Sequence, residues 1–155
     1  MTLSHTVIIP TKDRSGLLRR AVLSSLAGLA PNGEVIVVDD HSAIPATRTL
    51  RDLQTENLRI VTLPAGKTGV SEARNAGIRQ ARGDVIFFLD DDDELASDYC
   101  RTVLSRAVVD HDYGFSAYLQ VTKADETASA GAVRFAEGPI PADAPLRKRL
   151  CGFGM

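Results

Sequence analysis

Residues 69–93, GVSEARNAGIRQARGDVIFFLDDDD, place a helix, a strand and an acidic cluster in immediate succession. Ser71 follows a glycine-containing loop and is a candidate N-cap for a helix over residues 71–82, and Gly83 lies just past its end. Residues 84–89 (DVIFFL) are apolar almost throughout, which is typical of a strand buried on both faces of a parallel sheet. The segment therefore predicts a helix–strand unit of an α/β fold, with acids directly after the strand.

The segments before this unit repeat the same order of apolar runs and helical patterns. Three more strands are predicted over residues 6–10, 34–39 and 58–63, and two more helices over residues 15–29 and 46–54. Strands that alternate with helices in this way predict one α/β domain, with a mostly parallel, Rossmann-like sheet and helices on both faces.

The pattern after the acidic cluster is weaker. Residues 97–110 predict a helix, and residues 113–121 predict a strand of alternating character. Residues 123–132 are small and polar and predict a loop, while residues 133–136 could pair with the strand before that loop. Residues 138–145 contain three prolines and predict a connector.

Composition and length limit the class of protein. The 155 residues are 44% hydrophobic and 25% charged, as in an ordinary soluble domain. The net charge of −2 is too small to indicate a nucleic-acid partner. No signal peptide and no run of about 18 apolar residues is visible, so we expect a cytoplasmic protein, with peripheral membrane contact left open. Cys100 and Cys151 form no CxxC pair and are expected to be reduced thiols.

Polar residues of complementary chemistry follow three of the predicted strands. The carboxyl ends of parallel strands meet at one edge of the sheet, where ligands of open α/β sheets bind. The residues concerned are Thr11, Lys12, Asp13 and Arg14 after the first strand, Asp39 and Asp40 after the second, and Asp90 to Glu94 after the fourth. A binding site is therefore predicted at this edge.

The acidic cluster is the strongest of these features. Two carboxylates about 4 Å apart repel each other by roughly 4 kcal/mol at an effective dielectric of about 20, and a bound divalent cation would reverse that term. Ligand sets made of oxygen alone suit Mg²⁺ or Mn²⁺. If the backbone stays extended, Asp90 and Asp92 project to the same side and could share one cation. The alternatives are a solvated acidic loop or a helix N-terminus enriched in acids, and the position directly after a buried strand disfavours both.

The remaining candidates are ambiguous when taken singly. Asp39 and Asp40 could accept hydrogen bonds from a nucleobase or ribose, or could cap a turn. Arg74 could reach a diphosphate, because guanidinium matches phosphate geometry, or could lie on a solvated helix face. The same two interpretations apply to Lys12 and Arg14.

The positions of the histidines and the absence of common catalytic motifs mainly exclude other kinds of site. His5, His41 and His111 lack metal-ligand spacing; we expect His5 and His111 at the surface and His41 beside the site. No GxSxG, HExxH or GxxxxGK[ST] motif occurs, and the absence of GxGxxG after the first strand counts against an NAD-binding domain.

Taken together, VIIPTKDR (residues 7–14), EVIVVDDHS (residues 34–42) and residues 69–93 resemble the successive motifs of family 2 glycosyltransferases. The resemblance covers roughly residues 6 to 110. It implies a GT-A fold, a nucleoside diphosphate sugar as donor, Mn²⁺ or Mg²⁺ as cofactor, and inverting transfer of the sugar to an acceptor hydroxyl.

The resemblance also implies roles for individual residues. Those that match the donor site are Pro10, Thr11 and Arg14 at the nucleobase pocket, Asp40 at the base, Arg74 near the base and diphosphate, and Asp90, Asp91 and Asp92 in the D-x-D region. The base is often uracil, which favours a UDP-sugar. Asp92 is the first choice as metal ligand and Asp90 the second, although four consecutive aspartates leave the register open by one.

The same resemblance divides the chain by function. Residues 1–122 are expected to form the nucleotide-sugar-binding core, and residues 123–155 the start of an acceptor-side region that is cut short. The carboxylate base for the acceptor is expected beyond Met155, because nothing after Glu94 matches the Glu-Asp pair of the family. One alternative is a nucleotidyltransferase, and another is a nucleotide-binding domain without transfer activity. The sequence leaves the donor sugar, the acceptor and the oligomeric state open.

Overall fold

A computed structural model describes residues 3–53, 55–107, 113–116, 119–122, 125–130 and 149–153. The strands in these residues are β1 (His5–Thr11), β2 (Gly33–Asp39), β3 (Leu58–Thr62), β4 (Val85–Phe88), β5 (Tyr113–Ser116), β6 (Leu119–Thr122), β7 (Asp125–Ala130) and β8 (Arg149–Phe153). Six of the described strands form one sheet in the order β3-β2-β1-β4-β8-β5, with all neighbours parallel. β6 and β7 form a separate antiparallel pair.

The helices are α1 (Ser15–Gly28), α2 (Ala46–Thr49), α3 (Val70–Gln80) and α4 (Tyr99–Ala107). Alternate residues of each central strand enter different cores: Val7 and Ile9 of β1 pack with α1, whereas Ile8 packs with α3. This period of two is what a sheet covered on both faces requires. The expected α/β architecture, a mostly parallel sheet with helices on both faces, is therefore confirmed.

Two predicted helices have different bounds in the structure. The helix expected over residues 46–54 is only α2, four residues long, in which the β-branched Thr47 and Thr49 are poor helix formers. α3 begins at Val70 with Gly69 as its N-cap residue and has no side-chain cap, so the predicted capping by Ser71 is wrong. Gly69 has a φ of 99°, which glycine adopts without strain and which sets where the chain enters the helix.

The C-terminal part differs more from expectation. Residues 125–130 form β7, although their sequence predicts a loop. Antiparallel pairing with β6 satisfies their backbone hydrogen-bonding groups, and the polar composition of the segment gives no sign of that pairing. The strand expected over residues 113–121 corresponds to β5 and β6. Our predictions for residues 133–136, residues 138–145 and His111 fall outside the described residues.

β8 lies in the segment that we expected to begin an acceptor-side region, yet it pairs with β4 in the main sheet. The sheet therefore extends past residue 122, and the functional division at that point stays a prediction. Among the described helices, none has the length and apolar character needed to cross a membrane.

His5, expected at the surface, is fully buried at the start of β1. Its ring lies edge-on to Phe87, with 5.7 Å between the ring centroids. Gly33 leaves space for the ring, since a Cβ at that position would clash with it. Neither ring nitrogen has a hydrogen-bond partner among the described residues, and burial lowers the pKa of His5. The strand begins one residue earlier than the apolar run, which is why the pattern missed this core position.

We expect His5 to make folding sensitive to acid. Because its pKa is lowered in the folded state, the unfolded chain binds the proton more readily, and stability falls as the pH drops below the ordinary histidine value of about 6.5. This residue should therefore contribute to a loss of stability between about pH 7.5 and about pH 5.5. Urea unfolding of His5→Leu should show a smaller loss over this range, whereas His41→Asn, at an exposed site, should behave like the unsubstituted protein. Equal pH dependence in the unsubstituted protein and His5→Leu would contradict the assignment.

Candidate functional site

The order of strands in the main sheet reverses at β1, with β2 and β3 on one side and β4 on the other. The carboxyl ends of the neighbouring strands β1 and β4 lie side by side at this reversal, which is the usual ligand site of such sheets. A cavity of about 880 Å³ lies at this point. All eight residues to which the sequence assigned a binding role line it: Pro10, Thr11, Arg14, Asp40, Arg74, Asp90, Asp91 and Asp92. Their roles in binding stay predictions.

The carboxylate of Asp40 is the most firmly held group of the cavity. Its Oδ2 accepts hydrogen bonds from the backbone N–H of Gly69 (2.9 Å), from Thr68 Oγ1 (2.8 Å) and from Lys12 Nζ (3.3 Å). The Gly69 hydrogen bond, followed by those from Thr68 and Lys12, lowers the pKa of Asp40. Its Oδ1 is buried and has no partner among the described residues. An ionised oxygen in this position is suited to accept a hydrogen bond from a ligand.

Asp39, the neighbouring acid, does not line the cavity. Its Oδ1 accepts a hydrogen bond from the N–H of Ser42 (2.9 Å), and its Oδ2 accepts one from the N–H of Ala46 at the start of α2 (2.8 Å). Successive side chains of a strand point to opposite sides, so one acid of the pair faces the cavity and the other shapes the loop after β2. His41, expected beside the site, is exposed and is absent from the cavity lining.

The acidic residues after β4 lie in a turn, closed by a hydrogen bond from Asp93 N to Asp90 O (3.1 Å). The extended backbone that would place Asp90 and Asp92 on one side is therefore not present. Asp90 Oδ1 instead accepts a hydrogen bond from Arg74 Nη2 (2.7 Å). Burial and the charges of Asp92 and Asp90 raise the pKa of Asp93.

Arg14 contacts two of these acids with one nitrogen. Its Nη1 lies 3.1 Å from Asp91 Oδ1 and 2.9 Å from Asp92 Oδ2. The charge of Asp91, followed by its hydrogen bond and the charge of Asp92, raises the pKa of Arg14. Asp91 is buried and its Oδ2 also accepts a hydrogen bond from Thr11 Oγ1 (2.7 Å). The turn thus presents two carboxylates that converge on one cationic group.

The arrangement fits a divalent cation that is bound together with a ligand. The described residues contain no cluster of three His, Cys, Asp or Glu side chains suited to hold a metal alone. Mg²⁺ commonly uses only one or two carboxylates and completes its shell with phosphate and water oxygens. The convergence of Asp91 and Asp92 on the Arg14 guanidinium shows that the turn can surround a positive charge. The available oxygens therefore suit a metal that a diphosphate helps to hold.

Arg74 is fixed more rigidly than an arginine on a solvated helix face. Besides its contact with Asp90, its guanidinium carbon lies 5.8 Å from the centroid of the Phe88 ring. Its Nε is buried and has no hydrogen-bond partner among the described residues. Arg74 therefore presents a positioned cation at the cavity, with one donor still to be satisfied.

Four further cavity residues were not singled out in the sequence: Thr68, Gly69, Val70 and Ala73. They belong to the loop after β3 and to the start of α3, whereas the residues predicted at this edge of the sheet came mainly from the ends of β1, β2 and β4. The signal that could have identified this loop is its position at the same edge of the sheet, together with Gly69, whose positive φ presents a backbone N–H to Asp40.

Comparison with known proteins agrees with this arrangement. The model of one family, described as Glycosyl transferase family 2, matches residues 6–142. A Campylobacter jejuni protein, GalNAc(5)-diNAcBac-PP-undecaprenol beta-1,3-glucosyltransferase, is 36% identical over 104 residues, which are 66% of this chain and 34% of that protein.

Solved structures share the fold. S. aureus TarS 1-349 in complex with UDP-GlcNAc matches with a TM-score of 0.67 and 23% identity, over 75% of this chain and 35% of that one. The mannosyltransferase PcManGT from Pyrobaculum calidifontis, in complex with GDP-Man and Mn²⁺, matches with a TM-score of 0.65 and 22% identity, over 77% of this chain and 36% of that one. The chain spans 34% to 36% of the lengths of these three proteins.

The two adjacent acids after β2 should respond differently to substitution. Asp39→Ala would leave the N–H groups of Ser42 and Ala46 without their acceptors, and we expect the free energy of unfolding to fall by about 1–3 kcal/mol. Asp39→Asn keeps one acceptor oxygen and should lose less. Urea unfolding of both variants tests this, and a change of less than about 0.5 kcal/mol in Asp39→Ala would contradict the structural role.

Proposed function

The chain belongs to glycosyltransferase family 2, and from this membership we propose that it binds a nucleoside diphosphate sugar, with UDP as the nucleotide, for transfer to an acceptor hydroxyl. The fold is of the GT-A type, as expected from the sequence, and it is shared with TarS and PcManGT. The observation that carries the proposal is that an anionic acceptor, Asp40, and the acidic turn after β4 line one cavity at the reversal of the sheet.

Asp40 is proposed to select the base. Its ionised carboxylate can only accept hydrogen bonds, so it favours a base that presents N–H groups, as uracil does at N3. Pro10 and Val70, the latter 50% exposed, provide apolar surface for the face of the ring. Guanine also presents N–H groups, and PcManGT is described with GDP-Man, so GDP is the nucleotide against which UDP must be tested.

The diphosphate is proposed to lie between the acidic turn and the two arginines of the cavity. Arg74, held by Asp90 and Phe88, is positioned to donate hydrogen bonds to phosphate oxygens. Asp92 is proposed as the principal metal ligand because its side chain is half exposed at the cavity. The turn brings Asp91 to the same cationic group as Asp92, so Asp91 is proposed as the second ligand, and Asp90, which the D-x-D pattern favours, is the alternative. The chemistry that bound Mn²⁺ or Mg²⁺ supplies is neutralisation of charge on the departing diphosphate.

We assign no cavity carboxylate as the base that deprotonates the acceptor hydroxyl. Each of them already accepts a hydrogen bond from a cation or a backbone N–H, so its charge is engaged by protein groups of the cavity. The proposed contribution of these residues is therefore to bind the donor and stabilise the leaving group.

Binding of the donor nucleotide should depend on metal. UDP brings negative charge to a cavity lined by Asp90, Asp91 and Asp92, and a divalent cation removes that repulsion. At a concentration of about 100 times Kd, UDP with Mn²⁺ should stabilise the protein by about 2.7 kcal/mol. Thermal shifts with UDP and GDP, each with Mn²⁺ or with EDTA, measure this. Equal stabilisation by UDP in EDTA would contradict the proposed role of the metal, and a larger shift with GDP would overturn uracil as the proposed nucleobase.

Substitutions of Asp92 and Asp40 should weaken binding of different parts of the ligand. Asp92→Asn should abolish the Mn²⁺-dependent part of UDP binding while the protein remains folded, because the side chain is half exposed. Asp40→Ala should weaken binding of uridine, which carries no phosphate. Glu94→Gln is a matched control, since Glu94 pairs with Arg20 outside the cavity lining. Calorimetric titration of the three variants decides the assignment, and normal Mn²⁺-dependent affinity in Asp92→Asn would show that another acid binds the metal.

A further inference from the structure

The ligand-free site already contains a positive charge between two carboxylates. Arg14 Nη1 lies within hydrogen-bonding distance of both Asp91 Oδ1 and Asp92 Oδ2. These two acids belong to the turn that is proposed to bind a divalent cation. A guanidinium and a metal ion cannot both sit between the same two oxygens, because like charges repel and each needs direct contact with the carboxylates.

We propose that Arg14 is an internal counter-cation: it holds the Asp91 and Asp92 carboxylates while the site is empty, and it leaves them for the diphosphate when metal and nucleotide bind together. This inference rests on the proposed function. It gives Arg14 a positioning and coupling role that differs from simple contact with the nucleotide. Arg14 lowers the affinity for metal alone and raises the affinity for nucleotide once the metal is present.

The surroundings of Arg14 allow this movement. The residue precedes the first turn of α1, and its side chain is 52% exposed and makes no cap hydrogen bond to that helix. Arg74 contrasts with it, because the Phe88 ring and a buried Nε restrict that guanidinium. Of the two arginines that line the cavity, Arg14 is therefore the one that can change partners with little loss of packing.

The acids that Arg14 leaves behind stay in place. Asp91 is held through its second oxygen by Thr11 Oγ1, a contact that does not involve Arg14. Asp91 Oδ1 can therefore exchange a guanidinium for a metal without loss of its position. Loss of Arg14 from the empty site would leave two facing carboxylates that repel, and a free Mn²⁺ ion would relieve that repulsion.

The coupling has a thermodynamic signature. If metal must displace Arg14, then binding of Mn²⁺ alone is weakened by the ion pairs that are broken. A diphosphate that accepts the released guanidinium restores those interactions, so metal and nucleotide each raise the affinity for the other by the same factor. Removal of Arg14 should therefore reduce both the effect of metal on nucleotide affinity and the effect of nucleotide on metal affinity.

The test is titration of the folded protein with Mn²⁺, in the absence and presence of UDP, for Arg14→Gln and for the unsubstituted chain. Without nucleotide, Arg14→Gln should bind Mn²⁺ about fivefold more tightly, the scale expected when exposed ion pairs no longer compete. With Mn²⁺ present, its affinity for UDP should fall by about tenfold, as expected for loss of a charged hydrogen bond. Calorimetry or Mn²⁺ electron paramagnetic resonance gives both affinities without an activity assay.

Arg20→Gln is the matched control, because Arg20 lies on α1, its substitution removes the same charge, and it pairs with Glu94 rather than with the turn carboxylates that line the cavity. It should change the Mn²⁺ affinity by less than about twofold, the scale of a screened long-range charge effect. A gain in Arg20→Gln equal to that in Arg14→Gln would overturn the specific role of Arg14. Circular dichroism of both variants verifies that they fold.

The outcomes separate this inference from the proposed function. If the unsubstituted chain binds UDP with Mn²⁺, but Arg14→Gln has the same or a weaker affinity for Mn²⁺ alone, the counter-cation role is overturned and the donor site stands. If Arg14→Gln binds Mn²⁺ more tightly while no UDP binding is found in either protein, the counter-cation role is supported and the proposed nucleotide is overturned. Absence of Mn²⁺ binding in both proteins would overturn both.

Discussion

The buried carboxylate of Asp40 joins segments that are far apart in sequence. Lys12 follows β1, Asp40 follows β2, and Thr68 and Gly69 lie in the loop that enters α3; all three segments meet at one oxygen atom. Since an ionised group is unfavourable to bury without hydrogen bonds, the loops are held in the arrangement that supplies three of them to Oδ2. One wall of the cavity therefore depends on a single charge, and the unpartnered second oxygen of Asp40 is what remains for a ligand.

The other wall is organised by charge balance. Asp90 pairs with Arg74, and Asp91 and Asp92 pair with Arg14, so two guanidinium groups offset part of the charge of these three acids before any ligand arrives. This balance explains how a run of consecutive aspartates can follow a buried strand without forcing the turn apart. It also means that a ligand must exchange partners with protein groups rather than enter an electrostatically vacant site, and selectivity then depends on how well it replaces those partners.

The sequence was sufficient to predict β1, β2 and β4, because these strands are apolar runs buried on both faces and each is followed by polar residues, but it did not predict β8. Alternation alone could not decide between Asp39 and Asp40, since it predicts opposite directions without saying which residue faces the cavity, and only the family resemblance favoured Asp40. Four identical acids carry no pattern that marks a turn, so the geometry of residues 90–93 was also inaccessible. His5 was misplaced because burial of a polar residue at a strand end depends on its neighbours: β2 and β4 both begin in register with it, at Gly33 and Val85.

The insertion of β8 between β4 and β5 has a consequence for assembly of the sheet during synthesis. Residues 149–153 must leave the ribosome before β5 can join, because β5 reaches β4 only through β8 in the described sheet. Until then the order β3-β2-β1-β4 can form, and the open side of β4 exposes a row of unpaired backbone groups. Such pairings between distant segments form slowly, and a nascent chain paused in this interval is a candidate for chaperone capture. The open edge of β4 thus remains in the described sheet until residues 149–153 are available to pair with it.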